Sequence, residues 1–119
     1  MLSQALLVGA LPKLEQLRLG FNQIGDEGCK TLAEHLPTSM EMLSLYNNQI
    51  GDEGCKALAD HLPTTCTSLK TLDLGMNQIG DEGCKVLAEH LPTSLQFLMM
   101  ALEHSTLSAA CGERGVTFV

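Results

Sequence analysis

LEQLRLGFNQIGDEGCKTLAEHLPT, residues 14 to 38, changes its period halfway along. Leu17 and Leu19 alternate with Gln16, Arg18 and Gly20, the two-residue period of a strand. Leu32, Ala33 and Leu36 instead recur at helical spacing, on one face. Between the halves lies IGDEG, a glycine-rich turn leading into a helix, which is where a phosphate loop would sit. Gly20 and Gly25 even have the G-x-x-x-x-G spacing of one. A phosphate loop, however, needs Lys directly after its second glycine, and that place holds Asp26 followed by Glu27. Two carboxylates there would repel phosphate, so the stretch is no nucleotide site.

The same pattern returns along the chain. NQIGDEGCKTLAEHLPT at 22 to 38 recurs as NQIGDEGCKALADHLPT at 48 to 64 and NQIGDEGCKVLAEHLPT at 77 to 93, with only two columns changed. The strand segments ahead of these copies also align: LEQLRLGFN from Leu14, MEMLSLYNN from Met40, LKTLDLGMN from Leu69 and a decayed LQFLMMALE from Leu95. The steps are 26, 29 and 26 residues, with the three extra ones in PTTCTS around Cys66. Where the first copy has Gly20 the second has Tyr46 and keeps everything after it, a further sign that the leading glycine serves no phosphate loop.

L-x-x-L-x-L-x-x-N followed by an amphipathic helix resembles the leucine-rich repeat, and the G-D-E-G-C-K-x-L-A-x-x-L half is similar to its ribonuclease-inhibitor subtype, also found in the repeat regions of NOD-like receptors. The resemblance covers about residues 11 to 103. The steps of 26 are shorter than that subtype's usual repeat, and Glu103 stands where the fourth copy should have Asn. The resemblance implies an α/β solenoid, a short horseshoe arc with parallel strands on the concave face and helices on the convex face. The expected organisation is one domain over 1-119: a half repeat at 1-13, repeats at about 14-39, 40-68 and 69-94, and a degenerate terminal repeat at 95-119.

Composition narrows the function. Apolar residues make up 45% of the 119, but aromatics only 3%, so the core should be aliphatic. The formal charge of −7 repels nucleic acid and anionic membrane surfaces. No run approaches the length of a membrane span. MLSQALLVGALPK lacks a basic stretch before its apolar one and reads as a helix rather than a signal peptide. Five cysteines, an odd number without a C-x-x-C pair, do not form a disulfide framework and fit a reducing, cytoplasmic setting.

Within the repeats, Asn22, Asn48 and Asn77 are expected to form a ladder whose amides satisfy the backbone where the chain leaves each strand. Asp26, Asp52 and Asp81 sit where the N-cap of each helix belongs, and Glu27, Glu53 and Glu82 favour the first turn. The D-x-[DN]-x-[DN]-G pattern of a calcium loop is missing. Pro37, Pro63 and Pro92 should end the helices. Cys29, Cys55 and Cys84 read as small buried thiols close to the strands. His35, His61 and His90 fall in the last helical turns, where the dipole favours a cation, and His104 is a solvated loop residue. A shared metal site is not expected, because neighbouring helices stand ~8–10 Å apart. No metal or cofactor is implied.

Function belongs to the outward residues of the strands, which differ between copies: Gln16, Arg18 and Gly20; Met42, Ser44 and Tyr46; Thr71, Asp73 and Gly75; Phe97, Met99 and Ala101. Arg18 and Asp73 carry opposite charges two strands apart, ~10 Å at sheet spacing. Met42, Tyr46, Phe97 and Met99 offer soft and aromatic contact surface. This leads to a non-catalytic module that binds another protein of unknown identity through the concave face. The alternative is a Ran-type GTPase-activating regulator acting through Arg18. No G-x-S-x-G elbow or H-E-x-x-H pair suggests an enzyme. Residues 2 to 11 read as the helix half of a repeat, which leaves the strand around Leu17 as an open edge able to self-associate. SAACGERGVTFV suggests a short helix, a stop at Gly112 and a last strand near Val116 to Val119. These ends suggest a piece of a longer horseshoe.

Overall fold

The computed structural model describes residues 14–100, Gly115 and residues 117–118. Five strands form one parallel sheet in chain order: β1 (Gln16–Arg18), β2 (Met42–Ser44), β3 (Thr71–Asp73), β4 (Phe97–Met99) and β5 (Thr117–Phe118). Helices α1 (Gly25–His35), α2 (Asp52–Thr65) and α3 (Asp81–Glu89) follow the first three strands. Each strand–turn–helix passage returns the chain to the edge it left, so consecutive strands become neighbours. Among the described residues β1 is the first strand of the sheet, paired with β2 alone. The readings at residues 2 to 11, at Ala101, Glu103 and His104, and at the helix ending at Gly112 lie outside the described residues.

The register is set by leucine. Leu17, Leu43, Leu72 and Leu98 stand side by side at the centres of four strands, and all four are buried. Leu19, Leu45, Leu74 and Met100, two residues on, point the same way. A one-residue slip would turn both rows outward, so the pairing is strongly specified. The helices close the other side with Cys29, Leu32 and Ala33, Cys55, Leu58 and Leu62, and Cys84 and Leu87. Strand and helix residues join in one continuous aliphatic core. α1 packs on α2 and α2 on α3. Strands ~4.8 Å apart beside helices ~8–10 Å apart bend the stack into an arc with the strands inside.

Two expectations about the helices are corrected. Pro63 does not end its helix: α2 runs on to Thr65, whereas Pro37 and Pro92 do lie beyond α1 and α3. The three extra residues of this repeat supply the difference. They give the chain length for a further turn, and tertiary contacts fix it. The Thr65 hydroxyl donates to the Ala33 and His61 carbonyls, Cys66 N–H donates to Leu62 O, and the Cys66 side chain is buried. This offsets the backbone hydrogen bond that Pro63 cannot make. As a result His61 lies before the last turn rather than in it, and His90 just follows α3.

The second correction concerns the aspartates, none of which caps its own helix. Asp26 Oδ1 instead accepts hydrogen bonds from Gly51 N–H (2.6 Å) and Gly54 N–H (3.0 Å), at the start of the next helix. Asp52 Oδ1 does the same for Gly80 (2.6 Å) and Gly83 (3.1 Å). The cysteine three residues on reaches the same way: Cys29 Sγ donates to Gly54 O at 3.6 Å and Cys55 Sγ to Gly83 O at 3.2 Å. The helix starts lie so close that a Cβ on Gly54 or Gly83 would come within 2.7 Å of the capping oxygen. Glycine is therefore required at these two places by a neighbour rather than by its own turn.

Candidate functional site

The inner surface is built from the residues flanking each central leucine. Pairing sets Gln16, Met42, Thr71 and Phe97 in one row and Arg18, Ser44, Asp73 and Met99 in another. Gln16, Arg18 and Phe97 are exposed, and the other five are half-buried by their neighbours. Tyr46, beyond β2, is half-buried beside them. The face is thus a continuous patch whose chemistry changes from strand to strand.

Behind it, the asparagines tie the loops together. Asn48, fully buried, accepts from Asn22 N–H (2.9 Å) and Ile24 N–H (3.3 Å) and donates to Leu19 O and Tyr46 O. Asn77 accepts from Asn48 N–H (2.8 Å) and Ile50 N–H (3.0 Å) and donates to Leu45 O, Leu74 O and Gly75 O. Asn22 donates to Leu19 O and Gly20 O of its own turn. Each inner amide therefore uses both ends, as a buried polar group must.

The charges of the second row behave differently. Asp73 is positioned from two sides, Oδ1 accepting from Gly75 N–H at 3.0 Å and Oδ2 from the Ser44 hydroxyl at 3.4 Å. Among the described residues the ion pairs are Lys56–Glu53 and Lys70–Glu41, so Asp73 and Arg18 have no charged partner. Asp73 is consequently less free than its place on the strand suggests, whereas Arg18 is exposed.

Two surface residues escape an L-x-L reading. Phe21 and Met76 stand just before the ladder asparagines, where the backbone enters the left-handed region: φ is 62° at Phe21, 54° at Asn47 and 56° at Met76. Asn tolerates that conformation, but Phe and Met gain nothing from it. Both are nonetheless exposed, Phe21 by 71% and Met76 by 55%, more than Phe97 at 43%. Phe21 packs its ring edge-on to Tyr46, centroids 5.5 Å apart. The available signal was an apolar letter in a turn, G-F-N and G-M-N, where the middle copy has Asn.

The buried thiols are unsuited to catalysis. Burial, then the charge of Asp26, pushes Cys29 up to about 12. Burial first, then the other two thiols and Asp52 and Asp26, raises Cys55 still further. Cys66 is pushed up to about 11 by burial, partly offset by the Thr65 hydroxyl, and Cys84 to about 11 by burial and then Asp52 and Asp81. A nucleophilic cysteine needs the opposite shift. The His35 ring nitrogen Nδ1 lies 2.9 Å from Thr31 O on the outer side of the arc, away from the strand face. Among the described residues no three His, Cys, Asp or Glu side chains gather where a metal could bind, and no helix is long and apolar enough to cross a membrane.

Comparison with known proteins agrees with this architecture. A structure of the leiomodin-1 actin-binding site 2 superposes with a TM-score of 0.79 at 16% identity, covering 98% of this chain and 76% of that one, a likeness of fold. No curated protein matches the chain. The family model described as Leucine Rich repeat matches residues 10–33, 37–59 and 65–88, more than half of the sequence. With the leucine register and the alternation of strand and helix, these matches show that the chain belongs to the leucine-rich repeat family.

Proposed function

We propose that the chain is a non-catalytic module that binds another protein through the concave strand face, a single cytoplasmic domain of the ribonuclease-inhibitor-like subtype, similar to NOD-like receptor repeat regions. The observation that carries this reading is a contrast within each repeat. The helix halves are near copies, whereas Gln16, Arg18, Met42, Ser44, Tyr46, Thr71, Asp73, Phe97 and Met99 vary from strand to strand on one aligned surface. Varied side chains on a rigid scaffold are what recognition needs. The aromatic and methionine members are of the type that dominates interface energies.

The test is affinity capture with the purified chain and its strand-face variants. Tyr46→Ala and Asp73→Asn, the latter keeping an acceptor for Gly75 N–H, should each weaken capture while leaving the melting temperature nearly unchanged. Capture that survives a broad set of strand-face substitutions would remove the binding face from this surface. Actin, named for the leiomodin-1 domain, is one protein to include. The alternative, Ran-type GTPase activation, draws on the exposed Arg18, which has no ion-pair partner among the described residues. It would appear as stimulated GTP hydrolysis that is lost in Arg18→Ala.

A further inference from the structure

Phe21, Asn47 and Met76 form a column along one rim of the arc, where the chain leaves each strand. All three precede a ladder asparagine on a left-handed backbone, and hydrogen bonds from Phe21 N–H to Tyr46 O (3.0 Å) and from Asn47 N–H to Gly75 O (2.9 Å) hold the turns in register. Asn is the residue that suits this conformation. The first and third turns carry Phe and Met there instead, and both side chains are exposed. Tyr46 joins them from the strand side: its ring meets Phe21 edge-on, and a Cβ on Gly75 would lie 3.4 Å from it. The result is an apolar strip across three repeats, none of whose members belongs to the core.

Spacing and charge define what fits the strip. Neighbouring turns follow the strand spacing of ~4.8 Å, which sets Phe21 and Met76 ~10 Å apart with the middle turn halfway. One face of an α-helix presents residues i, i+3 or i+4, and i+7 at nearly these intervals, since each turn rises ~5.4 Å. An extended segment fits worse, because its residues on one side recur every ~7 Å. The six-residue passages from strand to helix put the helix starts on the same edge of the arc, and each start has Asp and Glu against a single Lys. Glu27, Glu53 and Glu82 are exposed there, with Lys56 3.7 Å from Glu53. The edge is net acidic, like the whole chain at −7, and attracts a basic partner. We infer that the rim strip of Phe21, Tyr46 and Met76 seats an amphipathic helix of a protein partner, apolar toward the strip and bearing Lys or Arg toward the helix starts. This goes beyond the strand-face reading: it is a second surface, meeting the first at Tyr46.

A display library of helix-forming peptides with randomised side chains, selected on the immobilised chain, tests this, followed by titration of the selected peptides by fluorescence anisotropy. Phe21→Asn and Met76→Asn bring in the residue type that the middle copy has at Asn47, so both variants should remain folded, as checked by thermal melting. The selected peptides should carry apolar residues at i, i+3 or i+4, and i+7, with Lys or Arg alongside. Their binding should fall about tenfold in each variant and weaken with added salt. Peptides that bind either variant as they bind the parent chain, or that lack basic residues, would overturn the inference. A selection that enriches nothing would overturn it too. The strand-face reading stands or falls separately, on whether Met42→Ala and Phe97→Ala weaken partner capture.

Discussion

The first helix and the two after it begin with the same six residues, GDEGCK, yet they are held differently. At α2 and α3 the leading glycine and the fourth residue donate to an aspartate of the preceding repeat. At α1 the Gly25 N–H donates instead to Asn48 O at 2.8 Å, and Gly25 adopts a φ of 70°. Identical letters thus give different local structure, because half of each helix start is supplied by the neighbouring turn of the solenoid. The ladder asparagines show the same dependence in the opposite direction, Asn48 and Asn77 serving the backbone of the repeat before. Stability in this fold lies between repeats as much as within them.

The strongest way to break the comparison is Gly83→Ala against Gly28→Ala. A Cβ at Gly83 would meet Asp52 Oδ1 at 2.7 Å, Ile79 Cγ2 at 2.8 Å and Asp52 Cα at 3.2 Å, so both the cap and the backbone approach would be lost. Urea unfolding should show a loss of about 3 kcal/mol. At Gly28 the only tight contact among the described residues is Ile24 Cγ2, the movable end of a side chain, and alanine favours the helix. The change there should stay within about 1 kcal/mol of zero.

Asn48→Ala should follow, costing about 2 to 3 kcal/mol because buried N–H and C=O groups lose their partners. Among the described residues, Asn22→Ala removes only bonds to Leu19 O and Gly20 O of its own turn, and it should cost below about 1 kcal/mol by the same measurement. Asp52→Ala should cost about 1 to 2 kcal/mol as a lost cap. Asp81→Ala changes the same letter, but that residue is exposed and has no such pair of donors among the described residues. Its effect should stay within about 0.5 kcal/mol.

A further effect is that of pH on a single thiol. Cys29, Cys66 and Cys84 are all raised above their unfolded value of 9.0, to about 12, 11 and 11. The folded state therefore keeps protons that the unfolded state gives up. The stability they contribute is fully present below pH 9 and is lost as pH rises through 9 toward the folded values. At half a unit above the unfolded pKa the loss is on the order of 1 kcal/mol per thiol, so alanine at Cys66 should flatten the alkaline limb of a melting-temperature profile by about that amount. Alkylation by iodoacetamide at pH 8 should track unfolding rather than precede it.

Much of this was legible in the sequence, for reasons that can be named. The alternation around Leu17, Leu43 and Leu72 fixes strand, register and exposed face together, since a strand has only two sides. The asparagine positions follow from where the chain must turn. The capping direction did not follow. Asp26 beside Gly25 and Gly28 satisfies every local cap rule, and only the packing of α1 on α2 sends its carboxylate forward. Pro63 misleads for a related reason: a local breaker loses to the buried Cys66 and the Thr65 bond to the preceding helix. Phe21 and Met76 were hidden because L-x-L alternation stops before the turn, where a left-handed backbone resets which way a side chain faces. The strand-face residues could be read as a set, but Asp73's pairing with Gly75 and Ser44 could not.

The most direct test of the claim that each helix is capped by the repeat before it is amide hydrogen exchange by NMR on Asp52→Ala. Protection should fall at Gly80 and Gly83, the start of α3, and remain at Cys55 in the aspartate's own helix, whose N–H donates to Gly51 O. Loss of protection at the start of α2, with Gly80 and Gly83 unchanged, would contradict the account.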